Sequence, residues 1–482
     1  MLERFSGAIQ IPTISYDDMT AQNPQDPISH ASLLKLHQYF EKMYPLVHSH
    51  LEKHVVNEYS LVFLWKGSNP SLKPVMLMGH MDVVPIDPAT EKEWIYPPFA
   101  GHIDRENGKV WGRGTNDDKF AVVGILEAVE ALLQAGFVPE QTFILAFGHD
   151  EEIGGYNGAQ QIAKYLLNNL KIGEHGVQAI IDEGMYMMMV GREKIFSSEE
   201  TYPLGIIGIA EKGYLDVNVT VGMDKGGHAS IAPPHTGIGI LSEVIVKLES
   251  NPFKSDINEK NPILGQLQCM AEHTGALDSQ QKFILKNWRL MKSKLFEWFD
   301  KNPKLHAAVT TSQAIDVVHG GVKVNALPQF AYEVTNLRIA PHESVKTTLS
   351  HIYSLVAPIA KKHKLDFIED SFARTKGTVG YIQVSHTGMD PSPISPANSP
   401  QYDRIASVIR HVFGDHIVVS PGLMLANTDT KHSWDLSKSI YRFKPQFLDG
   451  TENIHTVNEH AKIEYIVGCV RFYHELIRAF NE

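Results

Sequence analysis

The chain has 482 residues, of which 43% are hydrophobic and 21% charged. That is too long for one compact core and too ordinary in composition for a disordered or fibrous protein. A formal net charge of -11 excludes nucleic acid as a partner, because no basic tract is present to displace counterions from phosphates.

Two widely spaced cysteines, Cys269 and Cys469, provide neither a thiolate metal site nor a disulfide framework. No apolar run approaches the roughly 20 residues that span a bilayer. Residues 1–13 lack the charged head and apolar core of a secretory leader. A cytoplasmic location without a membrane partner is therefore expected.

Apolar positions at helical spacing, among them Leu33, Leu36 and Phe40, predict a helix over 31–46, and 60–65 predicts a strand. The run Val75-Met76-Leu77-Met78 ends in Gly79-His80-Met81-Asp82. It reads as a buried strand delivering two polar side chains at its C-terminal end. Residues i and i+2 of extended backbone share a face, so Asp82 can hold one nitrogen of the His80 ring while the other faces outward. Alone, this pair is more simply a hydrogen-bonded histidine, one of 24 in the chain. The carboxylates that follow it in order change that reading.

The stretch Gly112-Arg113-Gly114-Thr115-Asn116-Asp117-Asp118-Lys119 lacks the Gly-Lys-Ser/Thr of a phosphate loop. It leads into a helix with Val122, Ile125, Leu126, Val129 and Leu132 on its core face. Asp117 at this junction either faces His80 or merely favours the positive end of the helix.

A second buried strand over 141–147 runs into Gly148-His149-Asp150-Glu151-Glu152-Ile153-Gly154-Gly155. Its adjacent glutamates point different ways from one loop, so one can bind metal while the other handles water. A third strand over 177–181 is expected to end in Asp182-Glu183-Gly184. Three apolar strands, each ending in histidine or carboxylate, predict an α/β sheet with its polar residues at the carboxyl ends of the strands. Histidines and carboxylates without thiolates suit one or two zinc-like divalent ions.

From residue 208 the pattern alternates. Strands over 214–221, 308–318 and 330–339, with helices near 238–248 and 344–361, predict a separate smaller α+β unit. Residues 251–306 read as a helical insertion within it. The expected partition is a catalytic domain over 1–207 and 375–482, interrupted by a smaller domain over 208–374. The smaller domain holds His228, flanked by Gly227 and Ala229, together with Asn325 and Arg338. His-Glu-x-x-His and a Gly-x-Ser-x-Gly nucleophile elbow are both absent.

Six blocks in order, Gly79-His80-Met81-Asp82, Gly112 to Lys119, Asp150-Glu151-Glu152, Asp182-Glu183-Gly184, Gly227-His228-Ala229-Ser230 and Ile454-His455, resemble the dinuclear zinc hydrolases. That family includes aminoacylase, carboxypeptidase G and succinyl-diaminopimelate desuccinylase. With its insertion and the phrase Ile440-Tyr441-Arg442-Phe443, the chain is most similar to the carboxypeptidase S branch, whose members act on Gly-Xaa dipeptides or N-acyl amino acids.

The resemblance implies a mixed-sheet α/β zinc-peptidase domain with an inserted ferredoxin-like domain for lid and dimer contacts. It implies two Zn2+ per subunit, with Co2+ or Mn2+ as substitutes, and a homodimer through the smaller domain. Asp117 would bridge the two ions. His80 with Glu183 or Asp182 would complete one site, Glu183 matching the aminoacylase form, and Glu152 with His455 the other. Asp82 would orient His80, and Glu151 would be the general base. His228 and Asn325 would approach the scissile carbonyl, and Arg338 would grip the substrate carboxylate.

The function so implied is a zinc-dependent carboxypeptidase or dipeptidase, with an N-acyl-amino-acid amidohydrolase as the alternative. A catalytically inactive metal-binding scaffold is the alternative of another class, disfavoured because every ligand and base position is filled. Asn336 stands where other branches place an acid, which leaves substrate choice open.

Overall fold

The computed structural model describes residues 1–16, 27–191, 200–369, 379–450 and 452–481. Runs such as Val75–His80 and Phe143–Gly148 are buried at every position. They have no polar face to offer water, and they form the middle of a sheet covered on both sides.

In spatial order the strands of this eight-stranded sheet are Glu52–Val56, Ser60–Trp65, Phe143–Gly148, Val75–His80, Ala179–Val190, Ile440–Phe447, Tyr202–Glu211 and Val418–Met424. The three central junctions, from Phe143–Gly148 through Ile440–Phe447, are parallel, so the carboxyl ends of these strands share one edge. The register sets His80 opposite Gly148, where the acidic loop begins.

Val75 and Leu77 pack with Val122 and Leu126 of the Lys119–Gln134 helix and with Phe472 of the Ile463–Ala479 helix. Met76 and Met78, one residue out of phase, pack on the opposite face with Ile162 and Leu166 of the Ala159–Asn168 helix. At Gly124 an added Cβ would lie 2.4 Å from Cys469 Sγ, so only glycine permits the approach of the two large helices there.

The smaller sheet runs Ser312–Gly320, Phe330–Ile339, Gly213–Met223, Gly380–Met389, Asp366–Glu369. Its first three junctions are antiparallel and the last is parallel. The helices Gly237–Glu249 and Val345–Lys362 share its apolar core. Without the added edge strand Asp366–Glu369, the order second–third–first–fourth is the ferredoxin-like arrangement that the resemblance implies.

Three expectations need correction. First, the acids at 182 and 183 do not end a strand, because Ala179–Val190 continues through them. Gly184, at φ 141°, packs so closely on Met424 and Arg442 that a Cβ would meet them at 2.5 and 2.7 Å. The register against Ile440–Phe447 also shifts just beyond Arg442, so Glu183 sits at a bulge rather than at a terminus.

Second, Gly380–Met389 belongs to the smaller sheet, so the chain returns to the larger sheet only after Met389. The expected boundary at 374–375 itself lies outside the described residues. Third, the insertion helices do not pack within the smaller unit. Ile263, Leu264, Leu267, Trp288, Leu295 and Phe299 form a core with Leu204, Ile206 and Leu423, covering the apolar face of the two outermost strands of the larger sheet. Among the described residues no helix is long and apolar enough to cross a membrane.

Candidate metal centre

His80 ends its strand with a buried ring. Its Nε2 lies 3.0 Å from Asp117 Oδ1 and 3.4 Å from Glu183 Oε1, and its Nδ1 lies 3.2 Å from Asp82 Oδ1. The other Asp117 oxygen, Oδ2, lies 3.0 Å from His455 Nε2, which is 3.2 Å from Glu152 Oε2. One carboxylate thus stands between two imidazoles and presents one oxygen to each. The ligand atoms of His80, Asp117 and Glu152 lie within 4.8 Å of one another, as do those of His80, Glu151 and Glu183. Asp182 is buried beside this cluster without joining it.

Asp82 does more than orient His80. Its carboxylate accepts hydrogen bonds from Ser15 Oγ at 2.7 Å, Glu151 N at 3.1 Å and Glu152 N at 3.2 Å. The same group therefore sets the histidine and the acidic loop relative to each other.

Glu459 has the corresponding task for the glycine-rich loop. It pairs with Arg113 at 2.5 Å and accepts from Gly114 N at 3.0 Å and Asn116 N at 2.9 Å. From the Ile440–Phe447 strand, Lys444 donates to the Asn116 carbonyl and Gln446 to Asn116 Oδ1. His455 stands on left-handed backbone at φ 62°, as do Asn453 and Asn458, a conformation that side-chain-bearing residues rarely adopt. Gly148 and Gly155 leave room for the buried Asp429 carboxylate, from which a Cβ would lie only 2.7 and 2.0 Å.

The site is electrostatically crowded. Burial pushes the His80 ring down, but hydrogen bonds with Asp117, Asp82 and Glu183 outweigh it and hold the ring well above its ordinary value. Hydrogen bonds with Asp117 and Glu152 raise His455 to about 10. Burial raises Glu152 to about 7 and Asp182 to about 7. Burial also raises Glu151 well above the usual carboxylate range; nearby Asp429 and Glu183 add to this, against the His80 ring.

Among the described residues, both oxygens of Asp118 and Asp429 and Oδ2 of Asp182 are buried without a hydrogen-bond partner. Imidazoles and carboxylates alone, packed in excess over neighbouring positive charge, fit divalent cations, which would replace the protons that the histidines otherwise hold.

The smaller-sheet residues are placed differently. His228 lies on a two-stranded ribbon, paired with Ala326, and its Nδ1 meets Ser230 Oγ at 2.7 Å. The Asn325 carbonyl accepts from Ala229 N at 3.1 Å. The two are brought to each other, exposed to solvent and outside the metal cluster. Arg338 faces the larger sheet, donating to Asn427 Oδ1 at 2.9 Å with its guanidinium 4.8 Å from the Tyr214 ring. Ser15, Asn427, Asp429 and the role of Glu459 escape the sequence reading. Only Glu459 carries a signal, an acid four residues after His455.

An α/β sheet that, with its adjoining loops, gathers two histidines and four carboxylates along one edge presents the candidate divalent-cation site of a hydrolase. The profile of Peptidase family M20/M25/M40 matches residues 76–479, and the chain belongs to that family. It is 37% identical to carboxypeptidase S of Saccharomyces cerevisiae over 499 aligned residues, covering 100% of this chain and 84% of that protein. To the mouse (Mus musculus) N-fatty-acyl-amino acid synthase/hydrolase PM20D1 it is 33% identical, covering 99% and 87%.

Among solved structures, the metallo-carboxypeptidase Sso-CP2 of Sulfolobus solfataricus matches with a TM-score of 0.66 at 17% identity, over 100% of this chain and 99% of that one. The di-peptidase Dug1p of Saccharomyces cerevisiae matches with 0.65 at 15% identity, over 99% and 95%. At these identities the likeness bears on the fold.

Proposed function

We propose that the chain is a zinc-dependent metallo-carboxypeptidase or dipeptidase that hydrolyses the amide bond before a C-terminal amino acid. The observation that carries this reading is the Asp117 carboxylate between His80 and His455, in a chain related over its whole length to carboxypeptidase S. His80, Asp117 and Glu183 would hold one Zn2+, and Asp117, Glu152 and His455 the other. Co2+ or Mn2+ are the expected substitutes for these nitrogen and oxygen donors. When bound, such ions polarise a carbonyl and lower the proton affinity of water.

Glu151 takes the proton of the attacking water and passes it to the leaving nitrogen, a role suited by a carboxyl whose proton affinity burial has raised. Asp82 keeps the His80 ring in one orientation. Arg338, steadied by Asn427 and Tyr214, pairs with the free carboxylate of the substrate. His228 and Asn325 reach the scissile carbonyl when the smaller sheet approaches a substrate.

The smaller sheet also supports a homodimer. Its edge strand Ser312–Gly320 and the adjoining loop expose Val317, Val318, Val322 and Val324, an open apolar edge that a second copy would cover. The two unpaired cysteines accord with a cytoplasmic location. An N-acyl-amino-acid amidohydrolase is the second reading, favoured by the full-length relation to PM20D1.

The test is hydrolysis of Gly-Xaa dipeptides, longer peptides and N-acyl amino acids by the purified chain, before and after chelation and with zinc restored. Chelation should abolish activity and zinc should return it, with Gly-Xaa cleaved fastest. Undiminished hydrolysis by metal-free protein would overturn the proposal, and inactivity of the zinc-loaded chain on every substrate would favour the scaffold.

A further inference from the structure

On the face of the smaller sheet turned away from its helices, the antiparallel register sets Arg338 opposite Tyr214 and Asn336 opposite Asp216. All four side chains are half-buried, while Leu215, Val217 and Leu337 alternate with them and enter the helix-covered core. Asp216 is thus the diagonal neighbour of Arg338. Such neighbours lie about 7–8 Å apart, within reach of a side chain as long as arginine. A carboxylate and a guanidinium so placed are expected to pair, because their charges attract and their planar forks match.

The carboxylate is engaged elsewhere. Asp216 Oδ1 accepts from Asn336 Nδ2 at 2.8 Å, and Oδ2 accepts from the Tyr214 hydroxyl. Burial, with the Asp216 carboxylate adding to it, raises the Tyr214 phenol to about 12, so the hydroxyl keeps its proton and remains a donor well above neutral pH. The Arg338 guanidinium rests instead over the Tyr214 ring, 4.8 Å from its centroid, and donates from Nη1 to the neutral Asn427 amide at 2.9 Å. Among the described residues no carboxylate pairs with Arg338, and its Nε and Nη2 make no hydrogen bond. The charge and most of the donor fork are left for a ligand.

We propose that Asn336 and Tyr214 hold Asp216 off Arg338, and that this restraint keeps the guanidinium free for a carboxylate on the substrate. Asn336, Asp216 and Tyr214 are then positioning residues that set the specificity of the site. The inference rests on the reading above in which Arg338 pairs with the substrate carboxylate.

The test releases Asp216 and then removes its charge, in the zinc-loaded full chain acting on Gly-Leu and on Gly-Leu amide. Asn336→Ala combined with Tyr214→Phe, which keeps the ring under the guanidinium, should raise KM for Gly-Leu about fivefold, the scale of a half-exposed ion pair that must be broken first. kcat, and KM for the amide, should stay within about twofold. Adding Asp216→Asn should return KM for Gly-Leu to within about twofold of the parent. Each single substitution should shift KM less, in the same direction. A crystal structure of the released variant should show an Asp216 oxygen within about 4 Å of the Arg338 guanidinium.

An Asp216 carboxylate that stays away from Arg338 in the released variant would overturn the proposal. So would a raised KM that Asp216→Asn does not restore, since lost packing raises KM with or without that charge. Arg338→Ala separates this failure from that of the reading beneath it. If Arg338→Ala leaves KM for Gly-Leu unchanged, the arginine does not take the substrate carboxylate and both fall; if it raises KM while the released variant does not, only the restraint falls. Should the zinc-loaded chain cleave no amide, calorimetric titration with leucine and leucinamide reads the same release and rescue as affinity.

Discussion

Arg338 of the smaller sheet donates a 2.9 Å hydrogen bond to Asn427 Oδ1, in the loop that follows the outermost strand of the larger sheet. Asn427 in turn donates to the Lys212 carbonyl at 2.7 Å, where the chain passes from one sheet to the other. The guanidinium is thus held at the junction of the two sheets. Arg338→Ala should raise KM roughly 10- to 100-fold for substrates with a free α-carboxylate, the scale of a lost charge-assisted hydrogen bond. Carboxyl-amidated analogues should change less than threefold by about the same reasoning. Asn427→Ala should give a smaller effect in the same direction. Steady-state kinetics on matched free and amidated substrates measures both.

Glu151 and Asp117 should separate chemistry from cation binding. Glu151→Gln keeps the shape of the loop and removes the base, so kcat should fall by about 10²- to 10⁴-fold with the zinc content retained. Asp117→Asn removes a charge that both histidines face, and the zinc content itself should drop. Elemental analysis of the two purified variants, beside their kinetics, distinguishes the outcomes.

Asp82 holds both the His80 ring and the backbone of Glu151 and Glu152. Asp82→Asn should weaken zinc affinity by about 10- to 100-fold, the usual cost of losing a group behind a ligand. Ser15→Ala removes only the 2.7 Å bond to the same carboxylate and should weaken it less. Competition with a chromogenic chelator reads both constants.

Arg442 and Glu211 form a fully buried ion pair at 3.0 Å, joined by Thr428 and Thr430. Arg442→Met strands a buried carboxylate and should cost about 3–5 kcal/mol of stability. The double variant Glu211→Gln with Arg442→Met should recover part of that loss. Urea unfolding of the three proteins measures it. The loop that these residues anchor carries Asn427 and Asp429, so substrate affinity should fall along with stability in the single variant.

Burial lowers His37 to about 4, although the ring bonds to the Tyr59 carbonyl. The unfolded chain takes up this proton below pH 6.5 and the folded chain only near pH 4. The contribution of His37 is therefore complete above pH 6.5 and is lost as the pH falls toward 4, amounting to about 2 kcal/mol by pH 5. His37→Gln should flatten the fall in the urea midpoint between pH 7.5 and 5.

His80 and Asp82 were legible because a strand repeats every two residues, and the chemistry of that pair is local. The two possibilities for Asp117 were not separable in sequence, since a carboxylate at a helix start looks the same whether it faces a histidine or solvent. His455 brings the third point of the bridge from 338 positions further along the chain, a distance that no periodicity spans. The continuation of the strand past Glu183 was hidden for a related reason: Gly184 reads as a stop until Met424 and Arg442 are seen pressed against it.

By itself the amino-acid order determined which segments are buried strands, which helices cover them, and that imidazole and carboxylate would collect at one edge. Each of these follows from periodicity and from the cost of burying polar groups. Only the tertiary structure decided that Glu183 rather than Asp182 meets His80, that Asp82 also grips the acidic loop, and that the insertion packs on the larger sheet. These contacts join residues far apart in the chain, and their energies depend on close packing and desolvation, which exist only once the chain has folded.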